Sequence, residues 1–193
     1  MATRPATRVA ATTAAATPAL RLVVAARTQI GVTTSYDATY RVLAYPNGDV
    51  PLSSGVCTDV LIRALRQQSI DLQQAVHEDM TAHFAEYPKK WALTRPDKNI
   101  DHRRVLNLMT YFKRAGNELP ISKKAADYVP GDVVTWDLGS GLVHIGIVSD
   151  RKSPTGTPLI IHNMGRGTQE EDILFGFEIL GHYRIFPAAP APR

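Results

Sequence analysis

The order of the predicted elements indicates an α+β fold, with N-terminal helices packed on a C-terminal antiparallel sheet. Apolar residues recur at helical spacing in the first part of the chain, and after Val129 they form short strand-like runs between Gly and Pro turns. The 193 residues show no fixed-period repeat. We therefore expect one domain over residues 20–187, after a flexible Ala/Thr/Pro-rich leader at 1–19 and before a disordered tail at 188–193.

Helical patterns occupy the N-terminal part of the predicted domain. A first helix is predicted over Leu20–Gln29, because Gly31 follows it as a stop, and a second begins at Cys57 and runs to about Gln68. A polar segment is expected from Asp71, with a short helix over Met80–Glu86 and an irregular, charged stretch at 91–104. The last helix is predicted over Val105–Ala115, since Leu108, Met109 and Phe112 share one face and Gly116 ends it.

Strand patterns fill the rest of the domain. Turn-forming residues at 130–132, 139–141 and 153–156 each lead into an apolar run. These turns predict an antiparallel meander that places His144 and His162 on adjacent strands. The four predicted strands are Val133–Trp136, the His144 strand, the His162 strand and His182–Phe186.

Composition and charge exclude several classes of protein. The net charge of +4 and the pI near 9.3 reflect only a small excess of basic residues, and these residues are scattered along the chain. This pattern does not indicate nucleic-acid binding. No run of 18 apolar residues predicts a membrane span. A mild attraction to an anionic polymer such as a bacterial cell wall remains open, and we expect a monomer.

Cys57 is the only cysteine of the chain, so no intrachain disulfide can form. Its predicted place in the first turn of a helix favours the thiolate, because the helix dipole and free N–H groups stabilise negative charge there. Taken singly, Cys57 could be a small buried hydrophobe, and His144 and His162 could be structural histidines. Together, a cysteine at a helix start and two later strand histidines favour a cysteine hydrolase.

The motifs around these residues resemble the NlpC-type, papain-like cysteine peptidases. The shared features are Cys57, then Gly131-Asp132-Val133-Val134, then His144-Ile145-Gly146-Ile147, and then a polar residue on the next strand, His162. More closely, residues 36–184 resemble the bacterial domain-of-unknown-function family 1287. The phrases of that family are Gly55-Val56-Cys57-Thr58-Asp59, Val76-His77-Glu78-Asp79-Met80, Asn99-Ile100-Asp101-His102-Arg103, Val129-Pro130-Gly131-Asp132, His144-Ile145-Gly146-Ile147-Val148 and Gly181-His182-Tyr183-Arg184.

The resemblance implies a papain-like fold and a cofactor-free hydrolase that cuts amide bonds in peptidoglycan stem peptides. It also implies a periplasmic or secreted protein, which an inhibitory immunity-type protein could restrain. One departure concerns the nucleophile, because NlpC-type enzymes usually have Asp before the cysteine and Ser-Gly after it. Here Val56 precedes and Thr58-Asp59 follows, so substrate contacts near the nucleophile are expected to differ.

The resemblance also assigns roles to individual residues. Cys57 is the expected nucleophile, His144 the general base and acid, and His162 the group that orients His144. The backbone N–H of Cys57 would form part of an oxyanion hole. Asn163 is a fallback for the orienting role. Apart from the resemblance, the ionisable residues of the irregular segment from Asp71 to Arg104 indicate substrate recognition, because binding residues gather on loops. The expected substrate-binding residues are Tyr36, Asp59, His77, His102, Arg103, Arg104 and Asn163.

Two other functions stay open at this point. A metal hydrolase could use His77, Asp79, Asp101 and His102, but their spacing does not match a zinc-binding helix such as His-Glu-x-x-His. We therefore expect no metal site. A non-catalytic wall-binding or inhibitor module on the same scaffold is the second alternative, since a fold alone does not confer activity.

Overall fold

The computed structural model describes residues 16–187, which contain four α-helices in the N-terminal part of the chain. None of these helices is long and apolar enough to cross a membrane. The predicted leader and tail lie mostly outside the described residues. The helices are α1 (Pro18–Arg27), α2 (Cys57–Arg66), α3 (Leu72–His83) and α4 (Val105–Arg114), with single 3₁₀ turns at Phe84–Glu86, Asp101–Arg103 and Ala125–Asp127.

The strands form one six-stranded antiparallel sheet and one short parallel pair. The strands are β1 (Ser35–Tyr36), β2 (Ser54–Gly55), β3 (Glu118–Leu119), β4 (Val133–Asp137), β5 (Val143–Lys152), β6 (Pro158–Asn163), β7 (Thr168–Glu171) and β8 (Glu178–Tyr183). The order across the large sheet is β3-β8-β4-β5-β6-β7, so β4 to β7 form a meander and β8 returns to pair with β4. This arrangement confirms the predicted α+β class.

Two helix predictions were wrong in their bounds. Helix α1 begins at Pro18, inside the predicted leader, because the Thr17 hydroxyl caps the amide of Leu20 at 3.2 Å. Helix α3 begins at Leu72 rather than near Met80, and the Asp71 carboxylate caps its first turn. Leu72, Val76 and Met80 are all buried, and their spacing is the helical signal of this segment. The many polar residues between them concealed that signal.

The strand predictions also needed correction at the end of the chain. The last strand is Glu178–Tyr183 rather than His182–Phe186, and β7 was not predicted. Strand β7 reads Thr-Gln-Glu-Glu, which has no apolar alternation because it lies at the edge of the sheet. Its order comes from pairing with β6.

Apolar clusters cover both faces of the large sheet. One face packs against α1, α2 and α4, and the other is covered by the chain around Tyr128 and Leu174. Side chains of β5 alternate between the faces, so Ile145 and Ile147 lie toward the helices while His144 lies on the face of Trp136, its cross-strand partner. The sheet therefore presents His144 and the backbone of Ile145 at one end of β5.

An ionic cluster around a buried carboxylate connects two of the family motifs, the one that ends at Asp132 and the one that contains His182 and Arg184. The carboxylate of Asp132, which is 1% exposed, lies 2.7 Å from Nε2 of His182 and accepts hydrogen bonds from Nε and Nη2 of Arg184, each 2.7 Å long. The ring of Tyr128 stacks on His182. These contacts join the start of β4 to the end of β8, so the two motifs support the sheet.

Candidate active site

The nucleophile candidate, Cys57, is the first residue of α2 and follows directly on the β1–β2 pair. The carboxylate of Asp59, in the first turn, accepts a hydrogen bond of 2.7 Å from the amide of Val56 and so fixes the helix start. Because the first amides of a helix lie outside its hydrogen-bond ladder, the N–H of Cys57 can bind an oxyanion. The thiol itself is 4% exposed.

Burial is the main influence on the Cys57 thiol and raises its pKa to about 11. The backbone amides of Ile145 and Thr58 and the hydroxyl of Tyr36 lower this pKa, but by less. The expectation of an acidic thiol, drawn from the helix start alone, was therefore wrong for the resting protein.

The two histidines are in direct contact. Nε2 of His144 lies 3.0 Å from Nδ1 of His162, with the rings edge to face. Both side chains are buried, and burial lowers the pKa of His144 to about 3. Since Nε2 of His144 is engaged with His162, Nδ1 is the ring nitrogen left for a second partner. The resting pair is thus a neutral thiol and a neutral imidazole.

Gly146 makes the contact between the histidines possible. A Cβ at this position would lie 2.5 Å from Cγ2 of Ile160 and 3.2 Å from Cβ of His162. Any side chain here would push β6 away from β5. The glycine of the His144-Ile145-Gly146-Ile147 motif is therefore required to bring His162 within reach of His144.

A carboxylate that the sequence analysis missed stands behind His162. Oε2 of Glu171 lies 3.1 Å from Nε2 of His162, off the direction of a good hydrogen bond, so the attraction is mainly one of charge. Burial lowers the pKa of His162, and Glu171 opposes this shift. The negative charge favours a proton on Nε2, which leaves Nδ1 of His162 as an acceptor for His144. Only the β6–β7 pairing, with Glu171 opposite Ile160, could have revealed this residue.

Two adjoining cavities meet at the site. One, of about 200 Å³, is lined by His144, and the other, of about 170 Å³, is lined by Cys57. Tyr36 and Val143 belong to the walls of both. Tyr36 therefore lies on the border between the cavity of Cys57 and that of His144.

Arg103 lies in the wall of the Cys57 cavity, but its guanidinium is already engaged. Nε and Nη2 bind the two carboxylate oxygens of Asp59 at 2.9 and 2.8 Å, and both side chains are almost fully buried. The backbone of Arg103 accepts a hydrogen bond from the hydroxyl of Thr58. Arg103 and Asp59, both expected to bind substrate, are instead joined to each other below the nucleophile.

Asn163 holds the segments around the nucleophile in place. Its Nδ2 donates to the carbonyls of Ser35 and Gly55 at 3.1 and 3.0 Å, and its Oδ1 accepts from the amides of Gly165 and Gly167. The residue is fully buried. With every polar atom used inside the protein, Asn163 has a supporting place rather than the expected one in substrate binding.

The other expected substrate-binding residues do not line the two cavities. His77 packs edge-on against Tyr45 and lines a separate cavity beside the 92–99 segment. His102 is 2% exposed, and burial lowers its pKa to about 4. The guanidinium of Arg104 stacks on Trp91. Among these residues and Arg103, the structure brings only Arg103 to Cys57.

The alternative of a metal hydrolase would need a cluster of metal ligands, and the described part of the chain contains none. Within residues 16–187 no three His, Cys, Asp or Glu side chains are placed to hold a metal ion. Asp79 binds Arg114 and Tyr87, and Asp101 pairs with Arg104. Two of the four residues proposed as ligands are thus already partnered.

Helices over an antiparallel sheet, with a cysteine at a helix start and two histidines on neighbouring strands, define an NlpC-type, papain-like fold. NlpC1 from Trichomonas vaginalis shares this fold, with a TM-score of 0.50 and 13% sequence identity over 90% of this chain. This chain spans less than half of that protein, 46%. The chain belongs to the family described as Domain of unknown function (DUF1287), whose model matches residues 23–185.

A bacterial relative is much more similar in sequence. It is "Uncharacterized protein YijF" of Escherichia coli (strain K12), 60% identical over 161 residues, which are 83% of this chain and 78% of the relative. The family and the fold predicted from the sequence motifs are thereby confirmed.

Proposed function

We propose that the protein is a cysteine hydrolase that cuts an amide bond in peptidoglycan stem peptides. The observation that carries the proposal is the 3.0 Å contact between His144 and His162, with Glu171 behind it, beside the two adjoining cavities lined by His144 and by Cys57. These are the groups that a thiol nucleophile, its base and an orienting group require. Peptidoglycan is an anionic polymer suited to a chain of net charge +4, which would meet it in the periplasm or outside the cell.

In the acylation step, Nδ1 of His144 takes the thiol proton as the sulfur of Cys57 attacks the amide carbonyl. Since thiol and imidazole are both neutral at rest, this transfer creates an ion pair without a change of net charge. The N–H of Cys57 and the hydroxyl of Tyr36 are the donors available to the oxyanion. His144 then gives the proton to the leaving nitrogen, the C–N bond breaks, and a thioester remains.

In the second step, water hydrolyses the thioester. His144, neutral again, takes a proton from the water, whose oxygen bonds to the carbonyl carbon. The C–S bond breaks, and the proton returns to the sulfur as the acid is released. His144 carries a proton on Nε2 both when the ring is neutral and when it is protonated. Its Nε2–H can therefore donate to Nδ1 of His162 throughout the reaction.

The pH dependence of thiol modification follows from the raised pKa of Cys57. Because thiolate is the reactive form, alkylation by iodoacetamide should rise about tenfold for each pH unit between pH 7 and 10, with its inflection near 11. Stopped labelling with mass analysis measures the rate. N-acetylcysteine is the control, since its rate should level off near pH 9 to 10. An inflection below about 7 would contradict the neutral resting pair.

Replacing Tyr36 by Phe should shift the same profile. The Tyr36 hydroxyl lowers the pKa of Cys57, so its loss should move the inflection to still higher pH. We expect kcat/KM to fall on the order of 10² if the hydroxyl also binds the oxyanion. Tyr40→Phe, an exposed tyrosine outside both cavities, is the control. An unchanged alkylation profile in Tyr36→Phe would disprove the contact.

Glu171 is a positioning residue in this mechanism, and Glu171→Gln should lower kcat about tenfold with KM unchanged. The reason is that neutral Gln no longer favours the proton on Nε2 of His162. ¹⁵N NMR of the imidazoles reports the tautomer directly. Glu170→Gln is the matched control, because the neighbouring carboxylate binds Arg27 and Ser149 instead. It should affect stability but not the tautomer of His162.

The proposal is tested by digesting purified peptidoglycan and analysing the soluble fragments by mass spectrometry. Wild-type protein should release fragments with new amino groups, and Cys57→Ala should release none. The buried thiol, 4% exposed, is the observation that favours a non-catalytic wall-binding module instead. Sedimentation of both proteins with insoluble peptidoglycan, without any released fragment, would support that module and reject hydrolysis.

A further inference from the structure

We propose that the cavity beside His144 is the leaving-group subsite and that it selects substrates whose leaving amine belongs to an apolar residue. This inference rests on the proposed hydrolase function. The cavity, of about 200 Å³, lies between the β4–β5 turn and the β6–β7 loop. Its side chains are those of Tyr36, Leu138, Leu142, Val143, His144 and Met164.

The position of the general acid decides which side of the substrate this cavity receives. The nucleophile bonds to the carbonyl carbon, whereas the acid must reach the leaving nitrogen within hydrogen-bond distance. A cavity lined by His144 and not by Cys57 therefore lies on the side of the leaving nitrogen. The cavity lined by Cys57 and not by His144 lies on the acyl side.

The lining of the leaving-group subsite decides the chemistry of its occupant. Apart from His144, which burial keeps neutral, no residue of the cavity wall is ionisable in the physiological range. An ammonium or carboxylate entering it would lose hydration without finding a counter-charge. An aliphatic side chain would gain contact with Leu138, Leu142 and Met164. The subsite thus favours residues such as alanine or norvaline over lysine or glutamate.

Two synthetic stem-type peptides test the inference, L-Ala-γ-D-Glu-X-D-Ala amide with X either norvaline or lysine, where the C-terminal amide leaves no carboxylate on the leaving D-Ala. Mass analysis identifies each new amino terminus, and the initial rate is followed for each bond. We expect new termini mainly on norvaline or D-Ala, because bonds with an apolar leaving residue should be cut about tenfold or more faster than bonds with a charged one. Faster cleavage that leaves the new terminus on lysine or D-Glu would overturn the subsite assignment alone. No cleavage of either peptide would overturn the assignment together with the proposed function.

A charge placed in the cavity should reverse the preference. Leu142 is 61% exposed, so Leu142→Glu can be made without disturbing the core. This variant should cut before lysine about tenfold faster than wild type and before norvaline more slowly. Leu52→Glu is the matched control, because Leu52 is 60% exposed and lines neither cavity. Equal effects of the two substitutions would contradict a specific subsite.

Discussion

Replacing Cys57 or His144 by Ala should abolish hydrolysis while the fold persists. Each substitution removes a group that forms or breaks bonds in both steps, and we expect kcat/KM to fall on the order of 10⁴-fold or more. His162→Ala should cost less, about 10²-fold to 10³-fold, since an orienting group only sets the tautomer and angle of His144. Peptidoglycan digestion with quantified fragments gives the rates, and circular dichroism checks the fold.

The double variant Cys57→Ala/His144→Ala gives a second check. Groups that act as one unit are not additive, so the double variant should be no slower than either single one. Additive losses would indicate that the two residues act separately. Activity of Cys57→Ala equal to that of wild type would reject cysteine catalysis altogether.

Replacing Arg103 by Met should lower the free energy of unfolding by about 3–5 kcal/mol, because it leaves the carboxylate of Asp59 buried without its partner. The two side chains are 2% and 4% exposed, and two hydrogen bonds of 2.9 and 2.8 Å join them. Urea denaturation measures the change. Arg41→Met is the matched control, since Arg41 is 44% exposed and its pair with Asp37 should contribute at most about 1 kcal/mol.

A second variant separates lost charge pairing from lost packing. Asp59→Asn/Arg103→Met removes both charges and should recover part of the stability lost in Arg103→Met, because no charge is then left buried alone. If the double variant is less stable than Arg103→Met by a further 2 kcal/mol or more, the capping role of Asp59 at Val56 outweighs the ion pair.

Local signals were enough to predict the parts of the fold whose order is set along the chain. The starts of α2 and α4, the turns before β4 and β5, and the adjacency of the histidine strands all follow from short stretches of sequence. The first part of helix α3, before Met80, was missed because its Gln, His and Glu residues concealed the spacing of Leu72, Val76 and Met80. Strand β7 was missed because a polar edge strand is held by hydrogen bonds to the neighbouring strand. Its own short sequence does not reveal that pairing.

The candidate site was predictable in its residue types but not in its electrostatics. Cys57, His144 and His162 stood out by type and by the motifs around them. Their positions in the sequence did not reveal how deeply they are buried. Burial raises the pKa of the Cys57 thiol and lowers the pKa of His144. The contacts of Glu171 with His162 and of Arg103 with Asp59 depend on side chains that meet only in space. The charged segment before α4 therefore suggested substrate binding where the structure shows an internal ion pair.

The amide of Asn163 has a consequence for motion at the site. This one side chain joins the carbonyls of Ser35 and Gly55, which precede the nucleophile, to β6, which carries His162. We therefore expect the fluctuations of these segments to be correlated, because displacing one stretches hydrogen bonds to the others. The distance between Cys57 and His162 should then vary less than the position of either residue in the domain.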